Sequence, residues 1–177
     1  RRQRQMCIRD RRHHFKIKTY LRVGCALTTT HVYTWFGRKY PECNEWSRRV
    51  MAQLAVDKPD VVFTNSTRPS DDGTGDYVPS DYQEIFAQFR DRGQRVIALR
   101  DNPWVSAKLK PPECLATGRK PSVCGVDRDR AMAQVDPTLA IAGQYPNMTF
   151  LDYTDGICND TYCCLLYTSD AADAPFH

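Results

Sequence analysis

The 177-residue sequence lacks long apolar runs. No window holds eighteen consecutive apolar residues, and the mean hydropathy is −0.58. A membrane-spanning helix needs about 20 such residues, so the sequence predicts no membrane span. It also opens with no basic-then-apolar leader of the signal-peptide kind. With 41% hydrophobic and 26% charged residues, the composition is that of a soluble globular domain.

Several familiar catalytic motifs are missing as well. The sequence contains no Gly-x-Ser-x-Gly elbow, Walker loop, Gly-x-Gly-x-x-Gly or His-Glu-x-x-His. The only histidine away from the ends is His31, and a lone histidine is more often a surface residue than a general base. No complete set of nucleophile, base and orienting acid can be assembled, and no cofactor is predicted.

The basic charge is confined to one end. Residues 1–14 hold six arginines and Asp10, a charge of +5, whereas 164–177 hold Asp170 and Asp173. The net charge is +4, so residues 15–163 contribute only +1. Taken by itself, the basic head is typical of an arm that binds phosphates of nucleic acid.

A second interpretation of both ends is favoured. Met6–Arg11 and Cys164–Asp173 resemble peptides that arise when sequencing-adapter DNA is translated at the ends of an environmental gene fragment. We therefore predict that 1–14 and 164–177 are non-native or disordered, that 15–163 is an incomplete domain, and that nucleic acid is not a partner.

The first half of that domain alternates between strand and helix patterns. Phe15–Val23 alternates with period two, which predicts a strand with one buried face. A helical stripe follows Pro41, with Asn44 as the predicted cap. Val61–Phe63 is a short apolar run typical of a central parallel strand, and Asn65–Gly75 is rich in turn formers and predicts a loop.

The second half continues the alternation. Ser80 and Gln83 predict a capping box, and the helix it opens carries an apolar stripe at i, i+3, i+4 and i+7. Strands are predicted at Arg95–Leu99 and Met148–Leu151, with a weaker helix between them over 126–144 that breaks near Pro137. This order predicts an α/β domain with a mainly parallel sheet.

Six of the eight cysteines lie within 15–163, and none forms a Cys-x-x-Cys pair. A zinc site is therefore not favoured, and no metal is predicted. Six cysteines allow fifteen pairings, of which bridges between sequence neighbours would each close a local loop. These pairs are Cys25 with Cys43, Cys114 with Cys124, and Cys158 with Cys163. Such bridges would indicate an oxidising compartment, whereas the alternative is six buried, reduced thiols.

Together, a series of short motifs resembles a known family. The motifs are Gly24-Cys25, Cys43-x-x-Trp46, Lys58-Pro59-Asp60-Val61-Val62-Phe63, Val96 through Trp104, Glu113-Cys114-Leu115, Cys124 and Phe150 through Cys158. Their order resembles the SGNH hydrolase-like domain fused to the membrane acyltransferases that O-acylate bacterial surface glycans. The resemblance covers nearly all of 15–163. It implies a flavodoxin-like three-layer α/β/α sandwich and ester transfer or hydrolysis by a Ser nucleophile, a His base and an Asp orienter.

The resemblance also locates parts that this sequence does not contain. The family's nucleophile lies in a Gly-Asp-Ser motif upstream of the matching region, and its base lies in an Asp-x-x-His motif downstream of Cys163. Neither motif is present at its place. The residues that match family positions are Gly24 and Asn65, as donors of an oxyanion hole, although Phe63-Thr64 stand where a Gly usually precedes the Asn.

Structural alternatives remain for these residues. Gly24 could permit a turn, and Asn65 could cap one through its own side chain. Asp101 and Trp104 could line an acyl or glycan pocket, but a turn with a packed Trp is favoured for them.

Two functions follow. The first is a fragment of an extracytoplasmic SGNH-type O-acyltransferase or esterase domain, inactive by itself. Its partners would be a surface glycan, an acyl donor and a membrane acyltransferase domain of the same parent chain, which would attach it to the cell membrane. The alternative is a non-catalytic, disulfide-bonded α/β domain that binds glycan or a protein partner.

Overall fold

A computed structural model describes residues 16–29, 34–35, 38–70, 74–103 and 111–163. The strands in chain order are β1 (Thr34–Trp35), β2 (Arg38–Lys39), β3 (Val62–Asn65), β4 (Arg68–Pro69), β5 (Asp76–Tyr77), β6 (Val96–Leu99), β7 (Val126–Asp127), β8 (Met148–Leu151) and β9 (Tyr162–Cys163). The α-helices are α1 (Pro41–Asp57), α2 (Ser80–Asp91), α3 (Pro111–Ala116), α4 (Pro121–Cys124) and α5 (Arg128–Ala131). Short 3-10 helices span Pro137–Ala140, Ala142–Gln144 and Thr154–Gly156.

Three parallel strands organise the fold. They lie in the order β3-β6-β8, and their apolar runs pair residue by residue, beginning with Val62, Val96 and Met148. Helices flank this sheet, so the predicted α/β class is confirmed, and the arrangement is consistent with a flavodoxin-like fold. Within the described sheet β6 occupies the middle, whereas the predicted central strand, β3, lies at an edge.

The core lies between the sheet and α2. The predicted stripe of Tyr82, Ile85, Phe86 and Phe89 is confirmed, since each of these side chains is buried. They pack with Val62, Val96, Ala98 and Met148 of the sheet and with Met51 of α1. The 3.6-residue period of a helix places i, i+3, i+4 and i+7 on one face, which explains why this helix could be predicted.

Neither predicted side-chain cap forms. α1 begins at Pro41, whose fixed φ suits the first helical position, so Asn44 already lies inside the first turn. Its amide donates to the Thr29 carbonyl at 3.4 Å instead. In α2 the residue before the helix is Pro79, so Ser80 is itself the first helical residue and makes no capping bond.

The predicted strand Phe15–Val23 is wrong over its described part. Residues 16–23 carry no strand, and Leu21 and Val23 are 88% and 84% exposed. Polar contacts hold this segment instead, because Lys18 and Tyr20 both donate to the carboxylate of Asp57 at the end of α1. Alternation alone does not make a strand where no neighbouring strand offers backbone partners.

The predicted helix over 126–144 is only partly correct: its break near Pro137 is confirmed, but the segment before the break is not one helix. The segment begins as β7, which pairs with β9, and continues as one turn of α5 and two 3-10 helices. Asp136 accepts a hydrogen bond from the Thr138 backbone N–H at 2.9 Å, and Pro137 follows it. Both features start a new element and prevent a continuous helix.

The three predicted disulfides are confirmed. The Cα–Cα distances are 5.2 Å for Cys25–Cys43, 5.6 Å for Cys114–Cys124 and 3.9 Å for Cys158–Cys163. Each closes a local loop, and the alternative of six reduced thiols is wrong.

Some sequence predictions concern residues outside the described ranges. They are the terminal segments 1–14 and 164–177, together with His31 and Trp104. Of the helices that the structure does describe, none combines the length and apolar character needed to cross a bilayer.

Candidate active site

The carboxyl ends of the three parallel strands form the candidate site. β3, β6 and β8 end in register at Asn65, Leu99 and Leu151. Open α/β sheets bind their ligands outside the carboxyl ends of the strands. The residues at and just after these ends are therefore the ones whose chemistry matters.

Asn65 is the last residue of β3 and is exposed at this edge. The two residues after it are buried and anchored to the end of β6. Ser66 donates its backbone N–H to the Leu99 carbonyl at 2.7 Å, and the Thr67 hydroxyl accepts from the Asp101 backbone N–H at 2.9 Å. The backbone carrying Asn65 is thus fixed, which suits a side-chain amide that must meet a developing negative charge without rearranging.

Gly24 has a different setting. It has φ 72°, in a turn that the Cys25 backbone N–H closes on the Arg22 carbonyl at 3.1 Å. The disulfide Cys25–Cys43 ties this turn to α1. Because the described residues before it form no strand, the structure places Gly24 at a turn and not at a strand end beside β3. Its predicted part in an oxyanion hole stays a prediction.

A buried ion network, which the sequence analysis missed, lies directly behind this edge. Arg100 follows β6, and its side chain is 4% exposed. Its Nε and Nη2 donate to both carboxylate oxygens of Asp76, at 2.9 and 2.7 Å, and Nη1 donates to Asp152 at 2.8 Å. Nη2 also donates to the Ala133 carbonyl at 2.7 Å. The guanidinium therefore joins the ends of β6 and β8 to β5.

Hydrogen bonds within the network favour the charged forms of Arg100 and Asp152. Burial would lower the pKa of Arg100, but its hydrogen bonds to Asp76 and Asp152 raise it above the ordinary value. For Asp152 the directions are reversed. Burial would raise the pKa of its carboxyl group, but hydrogen bonds from Thr154 and the pairing with Arg100 lower that pKa overall. The Arg100 guanidinium and the Asp152 carboxylate thus hold the segments after β6 and β8 together.

One other candidate residue, Asp101, lies near the edge. Asp101 follows Arg100 and accepts from the Asn102 backbone N–H at 2.8 Å, which is a turn contact.

Across the described ranges, no cluster of three His, Cys, Asp or Glu side chains could hold a metal ion.

One sequence signal could have indicated the network. A charged residue directly after a buried strand often lies at the sheet's carboxyl edge, and both Arg100 and Asp152 have that position. Asp76 has no such signal, because its carboxylate reaches Arg100 only through the packing of the β4–β5 hairpin.

The comparisons with known proteins bear on the family. A family model described as "SGNH domain (fused to AT3 domains)" matches residues 11–176. No curated protein and no solved structure matches the chain. The match covers well over half of the sequence and agrees with the parallel α/β sheet, and the chain therefore belongs to the family of SGNH domains that are fused to AT3 domains.

Proposed function

We propose that this chain is part of an extracytoplasmic SGNH-type domain that transfers or hydrolyses acyl esters on cell-surface glycans. The observation that carries the proposal is the position of Asn65 at the carboxyl end of a parallel strand, within a chain of the SGNH family. Its amide would donate to the oxyanion of the tetrahedral intermediate. Gly24, at the turn that the Cys25–Cys43 bridge ties to α1, would be a second donor through its backbone N–H.

The location outside the cytoplasm is part of the proposal. Three disulfides support it, because such bridges persist in oxidising compartments. A membrane acyltransferase domain of the same parent chain would be the partner that supplies the acyl group and attaches the domain to the membrane.

The chain as it stands is expected to be inert. Its sequence has no Gly-Asp-Ser motif, and no Asp-x-x-His follows Cys163. Oxyanion donors without a nucleophile and its base leave acyl transfer without its covalent step. We expect no turnover of aryl acetates by the 177-residue chain, and steady turnover would show that the site is misplaced.

The decisive experiment restores the flanking sequence from the uninterrupted genomic locus. If that sequence supplies the two motifs, ester cleavage or transfer should begin. Asn65→Ala in the restored protein should then cost on the order of 10²–10³ in kcat, the usual loss for one oxyanion donor. Gln144→Ala is the matched control, since it removes an exposed side-chain amide that lies before β8, at the opposite edge of the sheet.

The second candidate is a non-catalytic domain that binds glycan or a protein partner. The three disulfides favour it equally, because they stabilise a binding domain as well as an enzyme. An inert restored protein that still binds glycan would select this candidate.

A further inference from the structure

β3 has an open side within the part of the chain that the structure describes. It pairs with β6 on one side, and no described strand pairs with its other side. Val62 and Ser66 donate their backbone N–H groups toward β6, at 3.0 and 2.7 Å. Because these groups alternate along a strand, those of Phe63 and Asn65 point to the open side. The side chain of Phe63 is 64% exposed, although strands of parallel sheets are usually covered.

Residues 16–23, called the leading segment from here on, show the complementary feature. They have the alternating pattern of a strand, but they pair with no strand in the described ranges. The apolar side chains of Ile17, Leu21 and Val23 are 45%, 88% and 84% exposed. The leading segment therefore has the sequence of a strand and lacks a neighbour.

The leading segment and β3 point in the same direction. At one end Lys18 and Tyr20 donate to Asp57, the last residue of α1. Just after the other end a disulfide joins Cys25 to Cys43, near the start of α1. The leading segment thus runs antiparallel to α1, along about 21 Å of that helix. α1 leads into β3 through a short link, so β3 is antiparallel to α1 as well.

The strand order locates the position of a further strand. Flavodoxin-like sheets have the strand order 2-1-3-4-5. The order β3-β6-β8 agrees with its 3-4-5 part when the leading segment is counted as strand 2. Position 1 then lies between the leading segment and β3. One parallel strand at this position would give backbone partners to both.

The position determines the chemistry of the strand that fits it. A strand inside a parallel sheet is buried on both faces and has a continuous apolar run, typically of about five residues. In this strand order it precedes the leading segment in the chain. Residues 1–14 hold six arginines and no apolar run longer than the three residues of Met6–Ile8, so they do not fit.

We propose that an apolar strand of the parent chain, encoded upstream of these 177 residues, inserts between the leading segment and β3 and runs parallel to both. A second copy of this chain is the other occupant to consider. Its leading segment, however, is already fastened along its own α1 by the Cys25–Cys43 bridge. The proposal rests on the proposed function only in that the domain is incomplete, and not on the ester chemistry.

Backbone amide hydrogen exchange, measured by NMR, tests the insertion. In the 177-residue chain, exchange should alternate along β3: slow at Thr64, which faces β6, and fast at Phe63 and Asn65. In the restored protein we expect exchange to slow by about 100-fold or more at Phe63, at Asn65 and at alternate residues of the leading segment. Fast exchange at these positions in both proteins would overturn the proposal.

Slow exchange at Phe63 and Asn65 in the 177-residue chain itself would overturn it too, because this chain or a second copy would then fill the position. A dependence of that exchange on protein concentration would identify the second copy. Slow exchange along β3 alone, with a freely exchanging leading segment, would exclude a strand between the two.

Two proline variants form a matched pair. Phe63→Pro removes an N–H on the open side of β3, and proline is tolerated in a strand where that side faces solvent. It should leave the urea midpoint of the 177-residue chain nearly unchanged and lower that of the restored protein by about 1 M or more. Thr64→Pro removes an N–H that faces β6 and should lower the midpoint of both proteins. A Phe63→Pro variant that lowers neither midpoint, or both equally, would contradict the insertion.

The outcome is separable from that of the proposed function. If Phe63 and Asn65 are protected in a restored protein that is inert, the inserted strand stands and the enzyme is wrong. If the restored protein cleaves esters while the open side of β3 still exchanges freely, the enzyme stands and the inserted strand is wrong.

Discussion

At the scale of single residues, the buried Arg100 network decides how the candidate edge is held. A guanidinium with a side chain 4% exposed has lost its water, and two carboxylates and one carbonyl replace it. A buried pair of this kind adds little over an apolar core, but removing one partner leaves uncompensated charge. The network therefore constrains the geometry of the edge more than it stabilises the fold.

We expect Arg100→Met to lower the free energy of unfolding by about 3–5 kcal/mol, because the buried carboxylate of Asp76 would lose its counterion. Urea unfolding followed by circular dichroism measures this. Arg95→Met, at an exposed arginine just before the same strand, should change stability by less than about 0.5 kcal/mol. Equal effects of the two substitutions would show that the network contributes no specific stabilisation.

The sequence could indicate Asn65 but not the network. Asn65 follows an apolar run of a few residues, so its place at a strand end is a local property. The partners of Arg100 are 24 and 52 residues away in sequence, and no periodicity relates positions so far apart. Only the assembled sheet and hairpin bring these charges together.

At the scale of elements, a predicted hydrophobic pattern formed the expected helix or strand only where its apolar side chains are buried. The stripe of α2 is buried against the sheet, whereas the alternating apolar side chains of Leu21 and Val23 are left exposed. Lys18 and Tyr20, which both donate to Asp57, hold that segment against α1. Hydrophobic periodicity therefore predicts a helix or strand reliably only where another layer of secondary structure packs against its apolar face.

Acid should weaken this attachment. Hydrogen bonds from Lys18, Tyr20 and Gln53 lower the pKa of Asp57 to about 2. Because the folded-state pKa is below the ordinary value of about 4, the stabilisation is complete above that pH and is lost as the pH falls toward 2. Asp57→Asn should therefore lower stability at pH 6 and have little effect near pH 2.

Urea unfolding of both proteins at several pH values measures that difference. It should shrink in about 1 M salt, because the carboxylate lies near the surface and its ion pair is screened. A difference between the two proteins that stays constant from pH 6 to pH 2 would contradict the attachment.

The disulfides close loops of different length, so their removal should lower stability by different amounts. Cys25–Cys43 spans 18 residues and Cys158–Cys163 spans 5. By loop-closure entropy, replacing both cysteines by alanine should cost about 3 kcal/mol for the first pair and about 2 kcal/mol for the second. Thermal and urea unfolding of the two double variants test the order. A reversed order would show that packing of Cys158 and Cys163 in their cluster outweighs loop length.

At the scale of the whole molecule, the alternation of strands and helices was sufficient to predict a parallel α/β sheet. Crossover connections place successive strands parallel and adjacent, which β3, β6 and β8 obey. The sequence did not indicate which strand is central, because every buried parallel strand shows the same continuous apolar run.

The last prediction concerns the two terminal segments and follows from the distribution of charge along the chain. Residues 1–14 carry +5 whereas 15–163 carry +1, so any affinity for phosphate polymers should belong to the head. We expect a chain trimmed to 15–163 to keep the melting temperature of the full chain, since we predict that neither terminal segment packs on the core. Binding of duplex DNA to the full chain at low salt should disappear on trimming.

Differential scanning fluorimetry and a DNA titration of the two chains test both statements. The family match extends over 11–176, beyond both trimming points, so the outcome is informative. A melting temperature lower by about 5 °C or more would mean that the terminal segments contribute contacts worth at least about 1 kcal/mol. The domain boundaries at 15 and 163 would then be wrong. If the chain trimmed to 15–163 still binds DNA, the basic surface lies within the α/β domain. The prediction that nucleic acid is not a partner would then be wrong.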